Sequence, residues 1–492
     1  MSPALEQLLP DDVLLEVMQY LSVDDVFACR LVCKRLEGLA RHPNVWRHRR
    51  IVEKHCLCPV LRLAPCLEAL EWCKQRSCES SFSALETTKC AVTSLTLALP
   101  TYSGYSNYDH RPIRTYAGLE IFTQAVRNQA AIGHLKHVAV QSRPLLDVVM
   151  EGSIGYVLLQ GGDAFCNLLA QCPCLLSVRF LLCVPALTRP LESGPPAPSL
   201  VVFECPLAFN SDSFLMTMLA GHAATLEVVN ISPGLIIDGD LLEHPNVSKL
   251  SEILASMPRL RSLKCSSLPR LETLAASKTL RDVGFYESGV YGLQGEIVKF
   301  LRGGKELRAL SVTGHYRFDY VGMLDAVLAS SGRSLEHLSL GDLQDVHQPL
   351  VEALPRLPAL RQLNLLQLYD LVRLDGLLLG ITPLTAPNLR RLELETSDWE
   401  PCAHHWLHGD AVRAVFSANP ALHIHLWKAS HCNPYAVEDR CGACASVCHL
   451  EAGWNFLGRL VLFAHEPGKC PAPEDHTADS KWRSVHMPCS SA

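Results

Sequence analysis

The residues best suited to chemistry lie near the C-terminal end, where His431, Cys432, Cys441, Cys444, Cys448 and His449 fall within nineteen residues. Cys441-Gly-Ala-Cys444 is a C-x-x-C knuckle, a spacing that lets two thiolates meet one tetrahedral zinc, and Cys448 or His449 with Cys432 or His431 can complete four ligands. Soft thiolates favour zinc over magnesium or calcium. The expectation is a single structural zinc drawn from Cys432, Cys441, Cys444, Cys448 and His449. Two other readings stay open: a cap whose thiols are buried and metal-free, and a redox C-x-x-C, which lacks the flanking strand–helix context such motifs have. Beyond Phe463 the chain turns polar and proline-rich through Pro467, Pro471 and Pro473, which reads as a flexible tail and leaves Cys470 and Cys489 too far out to count as ligands.

Other constellations are missing from the sequence. No G-x-x-x-x-G-K-[ST] phosphate loop occurs, since Gly304-Lys305 is followed by Glu306 and Gly468-Lys469 by Cys470. Neither H-E-x-x-H nor G-x-S-x-G is found. His449-Leu450-Glu451 echoes the H-x-E of zinc deaminases, but Cys441 and Cys444 precede it where a following pair is needed. His404, His405 and His408 form a trio without carboxylate partners and read as a surface loop. The chain is expected to be non-catalytic. Its 50 acidic and 44 basic residues give a net charge of −6 over 492 residues, no electrostatic footprint for nucleic acid. Met1 to Pro10 lack a basic and then apolar leader, and no apolar run is long enough to span a bilayer. A soluble protein of the cytoplasm and/or nucleus is expected, its 21 cysteines mostly reduced core residues such as Cys166, Cys183 and Cys265.

The elements that must position any site are legible in the middle of the chain. A six-residue phrase, apolar at positions one, four and six, recurs with starts at Val92, Leu135, Leu175, Leu200, Leu226, Leu260, Leu280, Leu307, Leu335, Leu360, Leu389 and Ala421. Seven of the eleven intervals fall between 20 and 29 residues, the period of leucine-rich repeats. Each phrase is then a short strand facing a shared core, and the segment after it returns as a helix, as at Leu250–Met257, Gly322–Ser330 and Asp410–Phe416. The alternative is another α/β fold with parallel strands. Intervals of 43 and 40 at the start hide insertions or missed units, and the tyrosine-rich loop Thr101–Tyr116 and the proline-rich loop Pro185–Ser199 are read as insertions. Tyr102, Tyr105, Tyr108 and Tyr116 are expected to pack over the first repeats, the other reading being aromatic anchors for a partner. Only the Leu175 copy carries the turn residue expected eight places on, Cys183. Arg308, Ala309, Glu336, His337, Arg361, Gln362, Arg390 and Arg391 should face the concave side, and their mixed charge suits a folded or peptide protein partner.

The first fifty residues contain two helical patterns. Pro10, Asp11 and Asp12 suit a helix start, and Val13, Leu14, Val17, Met18 and Leu21 recur at helical spacing. Ser22-Val23-Asp24-Asp25 resembles a capping box opening a second helix that should run to about Ala40, with Val26, Phe27, Leu31, Val32, Leu36 and Leu39 on one face. Residues 1–25 carry six acids and no Lys or Arg, residues 26–50 seven bases and one acid. Leu9-Pro10, Val13-Leu14, Val17, Tyr20-Leu21, Asp24-Asp25, Arg30-Leu31-Val32-Cys33-Lys34-Arg35 and Trp46 together resemble an F-box. The departure is Leu36, where that family often has tryptophan.

The resemblance implies a helical unit that docks a Skp-family adaptor and through it a cullin, with Leu9, Pro10, Leu14, Val17, Leu21, Leu31, Val32, Cys33 and Trp46 facing the adaptor. The middle resembles the leucine-rich repeats of F-box proteins, which hold a target for ubiquitination. The six C-terminal Cys and His candidates cannot build the eight-ligand, two-metal RING arrangement, which disfavours a second route to ubiquitin transfer. The organisation expected is α/β: a small all-α F-box over 1–50, a helical linker over 51–89, a solenoid of about twelve degenerate repeats over 90–428, a Cys/His-rich cap over 429–465 and a flexible tail over 466–492. The function expected is a substrate receptor of a Skp–cullin–F-box ubiquitin ligase. The alternative is a repeat scaffold outside ubiquitin transfer.

Overall fold

The computed structural model describes residues 9–52, 57–73, 79–99, 114–116, 119–142, 157–207, 211–232, 247–286, 293–314, 318–341, 347–368, 374–396, 402–427, 441–446, 459–466, 468–470 and 482–487. They fall into two compact units, Met1–Asp238 with Met257–Arg259, and Gly239–Ser256 with Leu260–Ala492.

The first unit opens with helices α1 (Asp11–Tyr20), α2 (Val23–Arg30), α3 (Lys34–Ala40) and α4 (Pro43–Trp46). Ser22 caps α2 as its sequence suggests, its Oγ accepting from the Asp25 N–H at 3.1 Å. The single helix expected from there to Ala40 is in fact two. Leu31 and Val32 turn back onto the carbonyls of Ala28 and Cys29, and Cys33 is extended. The apolar spacing runs on unbroken, but Leu31 and Val32 face outward instead of inward, so no core holds them in a helix.

The chain then builds a parallel sheet in the order β1 (Arg50–Ile51), β2 (Cys66–Cys73), β3 (Ala91–Leu99), β5 (His137–Ser142), β7 (Ser177–Leu181), β9 (Val202–Glu204) and β10 (Val228–Ile231). A second parallel sheet joins β4 (Arg114–Tyr116), β6 (Val157–Leu159) and β8 (Cys183–Pro185). Return helices include Leu119–Ile132, Gly162–Gln171 and Asp212–Gly221. The second unit runs in parallel through β11 (Ser262–Ser266), β12 (Asp282–Tyr286), β13 (Ala309–Thr313), β14 (His337–Gly341), β15 (Gln362–Leu368), β16 (Arg391–Thr396) and β17 (His423–Trp427). It closes with β18 (Arg459–Phe463), antiparallel to β17, and β19 (Trp482–His486), parallel to β18. Its returns include helices Val247–Ala255, Tyr320–Ser330 and Asp410–Ala418.

All twelve phrases are strands, and every phrase residue except Ala421 is at most 3% exposed. Register aligns them: Leu310, Leu338, Leu363, Leu392 and Ile424 are successive partners, as are Val312, Leu340, Leu365, Leu394 and Leu426. Truncating one such leucine to alanine costs about 2–5 kcal/mol. In the first unit the core carries an aromatic series, Trp72, Phe122, Phe165, Phe180, Phe214 and Phe203, with successive centroids 5.7–6.4 Å apart. Cys183 sits fully buried with its Sγ 3.1 Å from the Val140 carbonyl, the turn role its spacing implies. Elsewhere the residue before the phrase does comparable work. Thr225 donates to the Leu200 carbonyl, Thr279 to that of Leu260 and Ser334 to that of Leu307, at 2.7–2.9 Å.

Three expected boundaries change. The segment 51–89, expected as a helical linker, supplies β2, whose Leu67, Leu70 and Trp72 are the same phrase with tryptophan at position six. The intervals of 43 and 40 hold β4 and β6, which form a second layer with β8 and add no repeat to the main sheet. The segment 466–492, expected as a flexible tail, contributes β19, where Val485 is buried and the Trp482 ring meets His425 and Trp427 at 5.0 and 5.1 Å. One tryptophan and one valine among polar residues leave no leucine pattern to read. The loop tyrosines Tyr102, Tyr105 and Tyr108 lie outside the described residues, and Tyr116 ends β4. Among the described residues no helix is long and apolar enough to cross a membrane.

His222 fixes the end of the proline-rich loop: its buried Nδ1 accepts from the Ser199 N–H at 3.0 Å and the Leu200 N–H at 3.3 Å. Only an unprotonated nitrogen can accept, and burial holds the imidazole down at about 4. The unfolded chain therefore binds a proton below about pH 6.5 that the folded chain refuses. Stability from this group is complete above that pH and falls as pH drops toward 4, by roughly 3 kcal/mol in all. Thermal melts from pH 7.5 to 5 should show a falling Tm. In His222→Asn, whose Oδ1 can take the same bonds, that slope should shrink; an equal slope would assign the dependence to other groups.

Candidate functional site

Two arginines and a tryptophan lock the N-terminal helices together. Arg35 donates through Nε to the Asp11 carboxylate and through Nη2 to the Leu9 carbonyl, both at 2.7 Å, which ties α3 to the start of α1. Arg49 donates to the carbonyls of Val45, Leu21 and Met18 at 2.6, 2.9 and 2.7 Å and so caps the C-terminal end of α1. The Trp46 indole is fully buried, donates to the Ala40 carbonyl at 2.6 Å, and packs against Phe27 with Arg49 over its ring. Hydrogen bonds to main-chain carbonyls are insensitive to which side chains surround them, so the frame holds whatever face it presents.

That face is apolar. Leu9, Val13, Val17, Tyr20, Leu31 and Val32 are all exposed, Leu31 to 79% and Tyr20 to 81%. Val13, Val17 and Tyr20 are spaced four and three apart, so they form one stripe on α1. Of the residues expected to face the adaptor, Leu9, Pro10, Val17, Leu31 and Val32 are exposed, and Leu14, Leu21 and Cys33 are half-buried. Trp46 is a correction: it is core, and its tryptophan type marked structure, not contact. Val13 and Tyr20 also belong to the exposed face; the sequence placed Val13 in a helical stripe and Tyr20 among the residues resembling an F-box, and spacing alone does not say which flank of a stripe is buried.

On the second unit, Arg308, His337, Arg361 and Arg390 are exposed and Ala309, Glu336, Gln362 and Arg391 half-buried, as expected for the open side of the sheet. Register sets Ala309, His337, Gln362 and Arg391 in one row and Ser311, Ser339, Asn364 and Glu393 in the next. Gln362 bridges the rows, donating to Asn364 at 3.0 Å and Glu393 at 3.2 Å. The surface is polar, of mixed charge and crossed by its own hydrogen bonds.

Two metal-capable groups stand in the second unit. Cys441 and Cys444 meet Cys402, which no local motif connects to them, with the three sulfurs within 4.8 Å of one another. Cys402 and Cys444 sulfurs lie 3.4 Å apart, and the Cys444 N–H donates to the Cys441 Sγ at 3.4 Å. Cys432, Cys448 and His449 lie outside the described residues. The second group is His423, His465 and Cys470, also within 4.8 Å. Most other described cysteines are inert core thiols: burial pushes Cys90 and Cys265 up to about 12.

Residues 7–52 match the F-box-like family. No curated protein matches the chain. Among solved structures, the leucine-rich repeat-containing protein LegL7 from Legionella pneumophila is 14% identical, with 66% of this chain and 90% of that one covered at a TM-score of 0.36. The repeat assignment stands instead on the twelve phrases and their parallel register within each unit. The chain thus carries an F-box-like domain over residues 7–52, followed by parallel strand–helix repeats whose buried phrases are those of leucine-rich repeats.

Proposed function

We propose that this chain is the non-catalytic substrate-recognition subunit of a Skp–cullin–F-box ubiquitin ligase. F-box domains generally bind Skp-type adaptors, and the observation that carries the reading here is the apolar face of Leu9, Val13, Val17, Tyr20, Leu31 and Val32 held outward on a hydrogen-bonded frame. Exposed large apolar side chains clustered on a rigid support mark a protein interface. The cullin is reached through the adaptor. The open side of the sheet, polar and of mixed charge, would hold the target, a folded protein or a peptide. The other reading is a repeat scaffold outside ubiquitin transfer.

The full chain should co-purify with a Skp-family adaptor and cullin. A Val17→Ala/Leu31→Ala/Val32→Ala variant should not, since each central anchor is worth about 2 kcal/mol, or roughly 30-fold in Kd. A folded wild-type chain that captures no adaptor would leave the scaffold reading. Trp46→Ala should act differently. Loss of a fully buried tryptophan costs about 3–5 kcal/mol, so hydrogen exchange across α1 to α4 should rise in the free chain, whereas Leu31→Ala should leave it unchanged.

We propose in addition a structural zinc on Cys402, Cys441 and Cys444. Zinc bonded to sulfur at about 2.3 Å sets tetrahedral thiolates roughly 3.8 Å apart, close to the 3.4 Å between Cys402 and Cys444. Elemental analysis of the purified chain should find zinc, and Cys441→Ser/Cys444→Ser should remove one equivalent and lower Tm. A disulfide between Cys402 and Cys444 in mass spectra would overturn the assignment.

A further inference from the structure

The group formed by His423, His465 and Cys470 lies apart from both the F-box face and the three-cysteine knuckle, and its cysteine sits in a segment whose sequence reads as tail. His423 opens β17, where the continuous parallel run stops, and is 1% exposed. His465 follows β18, the antiparallel strand that ends the parallel run, and Cys470 lies five residues beyond it. We propose that these three residues bind a zinc ion that staples β17 to the segment following β18.

Tautomer and geometry argue for it together. A carbonyl oxygen can only accept, so each ring nitrogen facing one must carry the proton. His423 Nδ1 donates to the Arg390 carbonyl at 3.3 Å, and His465 Nδ1 donates to the Pro420 carbonyl at 2.9 Å. Both imidazoles thereby carry their lone pair on Nε2, the arrangement by which main-chain carbonyls orient metal-binding histidines. His423 Nε2 stands 3.0 Å from the Cys470 Sγ, and the two rings meet at 4.9 Å between centroids. Zinc with normal bonds to nitrogen and sulfur would set such a pair roughly 3.5 Å apart, about half an ångström wider than observed. Two imidazoles and one thiolate suit zinc and exclude magnesium and calcium; water can fill the fourth position. Binding releases the Cys470 proton to solvent, so affinity falls as pH drops.

The site also answers a structural need. A parallel repeat sheet has no partner for its last strand, and terminal units must close it. Here the closing strand β18 runs antiparallel, with Phe463 at its end paired to His423, and a metal joining the segment just after that end to the first residue of β17 would hold the two strands in register.

The test uses the full chain. Cys470 should resist alkylation in the native protein and become reactive when a zinc chelator is added, read by mass spectrometry of the peptide containing it. In the Cys441→Ser/Cys444→Ser background, one equivalent of zinc should remain and be lost on adding His465→Ala or Cys470→Ser. Cobalt(II) added to the metal-free form of that background should give the visible bands of a tetrahedral site, absent once Cys470 is replaced. Equal alkylation of Cys470 with and without chelator would overturn the site, and this measurement stands even if the variants fail to fold. A Cys470→Ser chain that keeps its full zinc content would do the same. Because each group has its own cysteines, loss of zinc at the knuckle does not count against this site.

Discussion

Most repeats enter their strand through the same backbone junction. The carbonyl of the second phrase residue takes two N–H groups from the next repeat: Arg308 from Glu336 at 2.8 Å and His337 at 2.9 Å, Glu336 from Arg361 and Gln362, Arg361 from Arg390 and Arg391. The first unit repeats it at Lys136, Leu176 and Val201. Because the junction uses only main-chain atoms, it sets register without asking for any side chain. What remains for the sequence to specify is apolarity at positions one, four and six, since a strand two to nine residues long cannot bury its face except against a neighbour.

This division explains which parts of the fold were legible. The positions that carry energy are apolar and periodic, so all twelve phrases became strands; the positions between them are free to vary, so the repeats look degenerate. Legibility failed where the same physics wore other residues. Trp72 fills position six of β2 as well as leucine would, and is fully buried there. In β18, Leu460 through Phe463 are buried on both faces, so the run is continuous and shows no alternation. The second sheet escaped because strands of three residues are too short to show a period.

The N-terminal helices pose the opposite problem. A small helical unit that exposes Leu31, Val32 and Tyr20 forgoes the burial those side chains would otherwise contribute. Its order comes instead from Arg35, Arg49 and Trp46, whose donors all end on main-chain carbonyls near helix ends or on Asp11. Buried and exposed apolar residues therefore alternate along one sequence pattern. Composition identifies the stripe, but the three anchors decide which way it turns, which is why a tryptophan expected at the contact face is core instead.

The candidate ligand groups show a third kind of limit. C-x-x-C is local, because two cysteines three apart meet on one turn, and so Cys441 and Cys444 were read directly. Cys402 meets them across 42 positions of chain, and His423 meets Cys470 across 47. Such pairs depend on how β17 and β18 reverse direction, an event with no periodic signature. The doubled junction stops just before the reversal: the Arg390 carbonyl takes a single main-chain N–H, that of His423, and β18 then runs antiparallel to β17. Past that point main-chain register no longer positions the chain as it does between repeats, and side chains must. The concentration of histidine, cysteine and tryptophan around β17 to β19, with Arg459 lying 3.8 Å over Trp427 and 5.5 Å from Trp482, is what that change of mechanism requires.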